Sequence, residues 1–516
     1  MKRRNFLRTG ALTTVPVMLN GMKLGAVPFP FMMTQGPDND RVLVLIQLNG
    51  GNDGLNCVIP IDQYSALSAV RPNILIPEAS VLDIESGLGL HPAMLKMQEL
   101  YLDGKMSIVQ GVGYPNQDRS HFRSTDIWTS GSAATEYITT GWLGRYFNND
   151  HSDYPTGYPN AEYEAPFALT MGSLVSETCQ GPLTNFSLAL NDPFALKPLA
   201  EGEAGNFPDN NYGKELRFLV DAIAQTNAYS DVILNAAEGG SNQVTYPTDN
   251  RLAGQLKNVA LLIAGGLKTK VYIVSHGGFD THSGQVDADT TLGDHADLLR
   301  QLSEAISLFQ QDLKLAGKDE KVLTMTFSEF GRQIRSNDSM GTDHGTAAPL
   351  MMFGSCVKPG VLGDNAQILV DADPQEGVAM QYDFRSIYGT VLRDWLGMAE
   401  SDIIEILNPD IQFLPLIEGC SISTAIQNEL FLDVHFKIYP NPVVTFTNIE
   451  WISSGDAWTA TLLDKWGHEI TNWSGGKASR KVVSHTLQIP MIPSGHYYVH
   501  LKQGNQSVTK GIVVRV

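Results

Sequence analysis

The chain has 516 residues, 43% of them hydrophobic and 18% charged, with 55 acidic against 36 basic residues and a net charge of −19. So acidic a chain lacks the positive face that nucleic-acid binding requires, which excludes that class. A spanning helix needs roughly 20 apolar residues in a row, and no stable membrane span is expected.

The N-terminus reads Met1-Lys2-Arg3-Arg4-Asn5-Phe6-Leu7-Arg8, then a mildly apolar stretch to about Met33 broken by Pro16, Asn20, Lys23 and Pro28. Paired arginines before Asn-Phe-Leu match a twin-arginine export signal over residues 1–33. That route carries proteins already folded, often with a cofactor loaded, which fits a metalloprotein. Residues 41–48 are apolar and β-branched and read as a parallel strand buried on both faces. Asp53 follows it in Asn49-Gly50-Gly51-Asn52-Asp53-Gly54, past the carboxyl end, where open α/β sheets place ligands. Further strands are expected at 106–111, 270–275, 322–327 and 350–353. Helical periodicity covers 92–102, 252–265, 294–316 and 382–396. Alternation of this kind predicts a three-layer α/β/α sandwich with a mostly parallel central sheet over 40–415. The stretch 148–213, rich in Asn, Asp, Pro, Gly and Tyr, reads as an insertion or lid at the sheet edge.

Three glycine-flanked loops carry the chemistry. Besides the loop of Asp53, they are Gly277-Gly278-Phe279-Asp280-Thr281-His282 and Gly341-Thr342-Asp343-His344-Gly345. Adjacent Asp and His turn toward one ion only on irregular backbone, which glycine permits. Ser120-His121 supplies a further hydroxyl and imidazole after the strand at 106–111. These oxygen and nitrogen donors suit divalent ions such as zinc, manganese or calcium. Two ions roughly 4 Å apart would clamp an anionic ester and activate an oxygen nucleophile. Each residue also has a plain structural reading: Asp53 or Ser120 as a helix cap, Asp280 with His282 as a loop hydrogen-bond pair, Asp343-His344 as a turn. Arg332 and Arg385 either clamp a phosphate or sulfate or pair with an acidic neighbour such as Glu329 or Asp383. The cysteines Cys57, Cys179, Cys356 and Cys420 are widely spaced, so a thiolate zinc site is unsupported. Disulfide pairing cannot be read from the sequence.

Beyond a linker at 416–435, residues 436–516 alternate as short strands at 443–451, 458–463, 485–489, 495–501 and 507–514, separated by Pro, Asn and Gly turns. This predicts a small all-β sandwich. Tyr439-Pro440-Asn441-Pro442, Leu463-Asp464-Lys465-Trp466-Gly467 and Ser494-Gly495-His496-Tyr497-Tyr498-Val499 resemble, in that order, the sorting domain of type IX secretion. The resemblance implies dealings with export and secretion machinery, and passage through the periplasm to the cell surface or outside. An Ig-like adhesion module is the alternative.

The order Asp, hydroxyl, Asp-x-His, Asp-His-Gly resembles the alkaline phosphatase and sulfatase superfamily. More closely, Leu48 to Asn56, Ser120-His121-Phe122, Gly278 to His282, Ser328-Glu329-Phe330-Gly331-Arg332 and Gly341 to Gly345 resemble an exported sulfatase-like family of unknown function. That resemblance implies Asp53, Asp343 and His344 on one metal, Asp280 and His282 on another, and Ser120 as a nucleophile bridging both. The expected function is a secreted metal-dependent hydrolase of phosphate or sulfate esters on a small molecule or polysaccharide. The alternative is a non-catalytic surface or binding protein with at most one metal. Two departures stand out. The phosphatase pattern spaces Asp and His as DxxxH, and it has a later His, whereas here none follows His344 before His435. Asp383, His276 and His295 are the available substitutes.

Overall fold

The computed structural model describes residues 18–19, 22–23, 40–85, 87–195, 208, 210–407, 410–420, 436–453, 457–464, 468–476, 482–503 and 506–515. The export signal falls outside them except for the pairing of Met18–Leu19 with Met22–Lys23, and most of the linker also lies outside. The chain divides into two units, Asp40–Ile422 and Met1–Asn39 with Ser423–Val516.

The larger unit is an α/β/α sandwich. Its named elements are β1 (Val42–Asn49), α1 (Leu95–Leu102), β2 (Met106–Gly113), α2 (His121–Ser130), α3 (Trp142–Asp150), β3 (Ala168–Met171), β4 (Ser187–Leu190), α4 (Asn211–Gly239), α5 (Arg251–Ala264), β5 (Val271–Gly277), α6 (Asp294–Leu315), β6 (Val322–Phe327), β7 (Ala348–Phe353), β8 (Gly360–Leu362), β9 (Tyr382–Asp383) and α7 (Phe384–Thr390). The sheet order is β8-β2-β7-β6-β1-β5-β3-β4, with β9 also on β2. Pairing is parallel throughout except at β7, which runs against both its neighbours. The sheet is thus mostly parallel, and β7 returns antiparallel because it follows the Asp343-His344 loop on the same side as β6.

β1 has one face made of Val42, Val44, Ile46 and Leu48, packed with Leu252 and Leu256 of α5 and Leu302, Ile306 and Phe309 of α6. Its other face, Leu43 and Leu45, meets Trp142 and Phe147 of α3 and Phe384 and Tyr388 of α7. Each such side chain taken from water stabilises by about 1.5–3 kcal/mol. Burial on both faces explains the unbroken apolar run.

The stretch 148–213 differs from the expected lid. Phe167 to Met171 and Phe186 to Leu190 place β3 and β4 in the central sheet, where β3 pairs with β5. Four-residue strands among polar turns leave little periodicity to read. The final expected helix begins two residues late, because Tyr382–Asp383 adds to the sheet as β9. Cys356 and Cys420 form a disulfide, and Cys57 and Cys179 are buried and free.

The C-terminal unit has strands β10 (Lys437–Tyr439), β11 (Phe446–Ile452), β12 (Trp458–Leu463), β13 (Glu469–Gly475), β14 (Val482–Gln488), β15 (Gly495–Gln503) and β16 (Gln506–Val514). They form two sheets, β10-β11-β14 and β13-β12-β15-β16. Trp451 of the first meets Trp458 of the second with ring centroids 5.0 Å apart, in a shared core with Leu462, Leu487, Val499 and Ile512. Two antiparallel sheets joined by such a core are a β-sandwich.

Beneath the carboxyl end of β1, His91 and His295 are buried with ring centroids 6.2 Å apart. Burial lowers His91 to about 3 and His295 to about 4 from an ordinary 6.5. The folded protein therefore binds fewer protons than the unfolded chain below about pH 6.5, so stability is full above that value and falls as pH drops toward 4. Chemical denaturation should show a loss on the order of 2–4 kcal/mol between pH 7 and pH 5. His91→Gln should remove about half of that dependence; an unchanged pH profile in the variant contradicts the assignment.

Candidate metal centre

The carboxyl ends of β5, β1 and β6 lie side by side, and one buried guanidinium gathers the loops that leave them. Arg332 is 1% exposed. Its Nε donates to the Gly51 carbonyl (2.7 Å) and its Nη1 to the Thr342 carbonyl (2.9 Å). Its Nη2 donates to the carbonyls of Gly50 and Phe279 and to Asp280 Oδ1, the last at 2.7 Å. A buried charge is tolerated only with such partners. The glycines permit the approach. Gly50 has φ +120°, and a Cβ there would stand 2.3 Å from the Asp280 nitrogen; one on Gly345 would stand 2.2 Å from the Arg332 carbonyl carbon. Arg332 was expected to receive substrate charge. Its donors instead face the protein, because three carbonyl-rich loops converge on it.

Asp280 Oδ1 lies at the centre of three imidazoles, 3.1 Å from His282 Nε2, 3.2 Å from His344 Nε2 and 3.4 Å from His121 Nε2. Each ring has its Nδ1 against an acceptor: His282 against Asp343 Oδ1 (2.7 Å), His344 against the Arg119 carbonyl (2.8 Å), His121 against Glu329 Oε1 (2.7 Å). A carboxylate or carbonyl only accepts, so each Nδ1 carries a hydrogen, and a ring with no second hydrogen offers an Nε2 lone pair. His282 and His344 stand Nε2 to Nε2 at 2.9 Å. His121 Nε2 is buried with no hydrogen-bond partner. Facing lone pairs repel unless a proton or a cation stands between them. Ring N–H groups fixed by carboxylates or carbonyls, with the other nitrogens converging, are the outer-shell arrangement of metal-ligating histidines. His121, Asp280 and His344 thus form a group able to hold a metal ion, and His282 adjoins it.

The protonation states fit. Partial burial opposes ionisation of Asp280, but the hydrogen bond and charge of Arg332 hold its carboxyl at about 2. Asp343 is also lowered: burial opposes ionisation, and hydrogen bonds from His282 and Asn337 overcome it. Burial lowers His344, against the pull of Asp280. Metal ligands must be deprotonated in this way. The side chains of Asp280 and His282 are 48% and 44% exposed, so the cluster opens to solvent.

The other expected residues stand elsewhere. Asp53 is buried: its carboxylate takes Arg71 Nη1 at 2.9 Å, Gln285 Nε2 at 2.7 Å and the Leu55 N–H. It caps the turn at Gly54–Cys57 and neutralises Arg71, so it is not grouped with Asp343 and His344. Asp343 orients His282 rather than joining the donor cluster. Ser120 is exposed at the N-cap of α2, makes no capping bond through its side chain, and sits between Arg119 and His121. Of the substitutes, Asp383 binds Arg385, His276 donates to the Leu298 carbonyl, and His295 bonds Asn52. Arg385, a second arginine able to clamp an anion, is thereby taken. Sequence reasoning left Glu329 without a role beyond pairing with arginine. It is 4% exposed and accepts the Gly50 N–H as well as His121. Its place in Ser328-Glu329-Phe330, directly after β6, was the available signal.

A family model described as "Protein of unknown function (DUF1501)" matches residues 212–392, and one described as "Secretion system C-terminal sorting domain" matches 437–515. No curated protein matches. Similar solved structures include the PsFucS1 sulfatase from Pseudoalteromonas sp. (9% identity, 90% of this chain and 83% of that one, TM-score 0.32). Others are an alkaline phosphatase superfamily protein from Vibrio parahaemolyticus (8%, 88% and 83%, 0.32) and the lipoteichoic acid synthase LtaP from Listeria monocytogenes (9%, 74% and 77%, 0.32). Scores this low carry no inference about activity. The C-terminal sandwich is a type IX sorting domain, which marks the chain for export to the cell surface or outside and implies contact with the secretion machinery. Among the described residues no helix is long and apolar enough to cross a membrane.

If Glu329 fixes the tautomer of His121, Glu329→Gln should weaken metal binding about 10–100-fold. Competition against a chromophoric chelator measures this, and an unchanged affinity contradicts the role.

Proposed function

We propose that this chain is an exported hydrolase of phosphate or sulfate esters that uses one divalent ion held by His121, His282, His344 and Asp280. The observation that carries the reading is the convergence of three imidazole Nε2 atoms on Asp280 Oδ1 with every Nδ1–H already engaged. Three nitrogens and one oxygen favour zinc or manganese over calcium, which prefers six to eight oxygens. Two ions, as the superfamily resemblance implies, would need Asp53, and Arg71 and Gln285 have taken it.

When bound, such an ion supplies Lewis acidity that draws charge from an ester oxygen. The residues supply the rest. Arg332 fixes the three loops and keeps Asp280 ionised. Glu329, Asp343 and the Arg119 carbonyl hold the rings in one tautomer. Ser120 is the nucleophile: its residue is exposed, its side chain is not used as a cap, and it stands between His121 of the cluster and Arg119, whose carbonyl holds His344. The ester hydrolysed belongs to a small anionic molecule or a polysaccharide.

A second reading keeps the fold and the ion without catalysis. Four protein ligands are the closed form of structural zinc sites, and Arg332 has no donors facing a substrate.

Hydrolysis of 4-nitrophenyl phosphate and 4-nitrophenyl sulfate separates the two. The hydrolase reading predicts turnover of at least one ester, abolished by chelation and restored by zinc or manganese. Ser120→Ala should lower kcat by more than about a hundredfold without changing the melting temperature. Turnover unaffected by chelator sinks the metal role, and full activity in Ser120→Ala sinks the nucleophile.

A further inference from the structure

An ester hydrolase in a chain of net charge −19 needs a local cation to receive an anionic substrate. The arginines around the centre are mostly neutralised. Arg71 pairs with Asp53, Arg332 with Asp280, Arg123 with Asp126 and Arg385 with Asp383. Arg119 is different. It precedes Ser120, and its carbonyl receives the Nδ1–H of His344 at 2.8 Å, so its backbone is fixed to the donor cluster. Its side chain is half-buried, and its Nη1 donates to the Gln375 carbonyl at 2.6 Å. Among the described residues that is its one hydrogen bond, and it makes no ion pair.

Gln375 also sets where the guanidinium stands. Its neighbour Glu376 accepts the Ile334 N–H through its carbonyl, and Gly377 bridges Gln333, the residue after Arg332. Arg332 in turn bridges His344. The segment that anchors the Arg119 side chain therefore borders the His344 loop. The guanidinium reaches from the start of α2 to that segment, with donors unspent.

We propose that Arg119 binds the tetrahedral oxyanion of the substrate, a phosphate or sulfate group, and does what Arg332 cannot. The planar fork of a guanidinium matches two oxyanion oxygens. The proposal rests on the hydrolase reading for its substrate, but its test does not. Binding of inorganic phosphate to the full chain as purified is measured by titration calorimetry, for the native protein, Arg119→Met and Arg119→Lys. Arg119→Met should bind phosphate about 10–100-fold more weakly, with Arg119→Lys between the two. Metal content and melting temperature should stay at native values in both. Equal phosphate affinity in Arg119→Met, or no phosphate binding by the native protein at millimolar concentration, overturns the proposal. So does loss of metal or of melting temperature in Arg119→Met, since the arginine would then be holding the His344 loop. Arg119-dependent phosphate binding without hydrolysis of any ester upholds the site and counts against the hydrolase. Ester hydrolysis with a KM unmoved by Arg119→Met does the reverse.

Discussion

The buried guanidinium of Arg332 organises the whole centre. Three loops leave three adjacent strands, and left alone their carbonyls would crowd one another at the carboxyl ends of those strands. Arg332 donates to four of those carbonyls and to one carboxylate, and its burial makes that geometry obligatory. A buried charge stripped of its partners costs several kcal/mol, so the loops cannot drift apart cheaply. Asp280 gains twice: it is placed at the middle of the three imidazoles and kept ionised.

Behind that layer a second network locks the same loops to the core. Gln285 donates to Asp53 and accepts from Thr281, which lies between Asp280 and His282, and from Thr342, which precedes Asp343. Asp53 is held in turn by Arg71, whose other donors go to Gln333 and Ile334 near Arg332. The polar interior is thus one connected system in which each charge has a partner. Such networks rigidify a site when fully satisfied. The disulfide from Cys356 to Cys420 fastens the end of the same unit, where Arg41 also reaches the Cys420 carbonyl. Cys57 stays out of any such chemistry, its thiol pushed up to about 12 by burial.

Much of this was legible beforehand, for identifiable reasons. Buried parallel strands leave unbroken apolar runs, so β1, β2, β5 and β6 stood out, and the glycine-flanked acids and histidines marked their carboxyl ends. The partners were not legible. Arg71 lies in an unremarkable turn, and nothing local says that it will neutralise Asp53. Glu329 and His121 sit 208 positions apart, yet share a hydrogen bond. The resemblance to two-metal enzymes assigned Asp53 to an ion, and a long-range salt bridge took it away. β3 and β4 were hidden because four-residue strands among prolines and tyrosines carry no usable period.

The central claim is a single ion on His121, His282, His344 and Asp280. The most direct measurement is the metal content, by mass spectrometry, of the chain purified without chelator, beside His121→Ala and His344→Ala. The account predicts about one equivalent of zinc or manganese per native chain, lost in both variants. No metal that added ions can restore, or two equivalents retained in the variants, would contradict it.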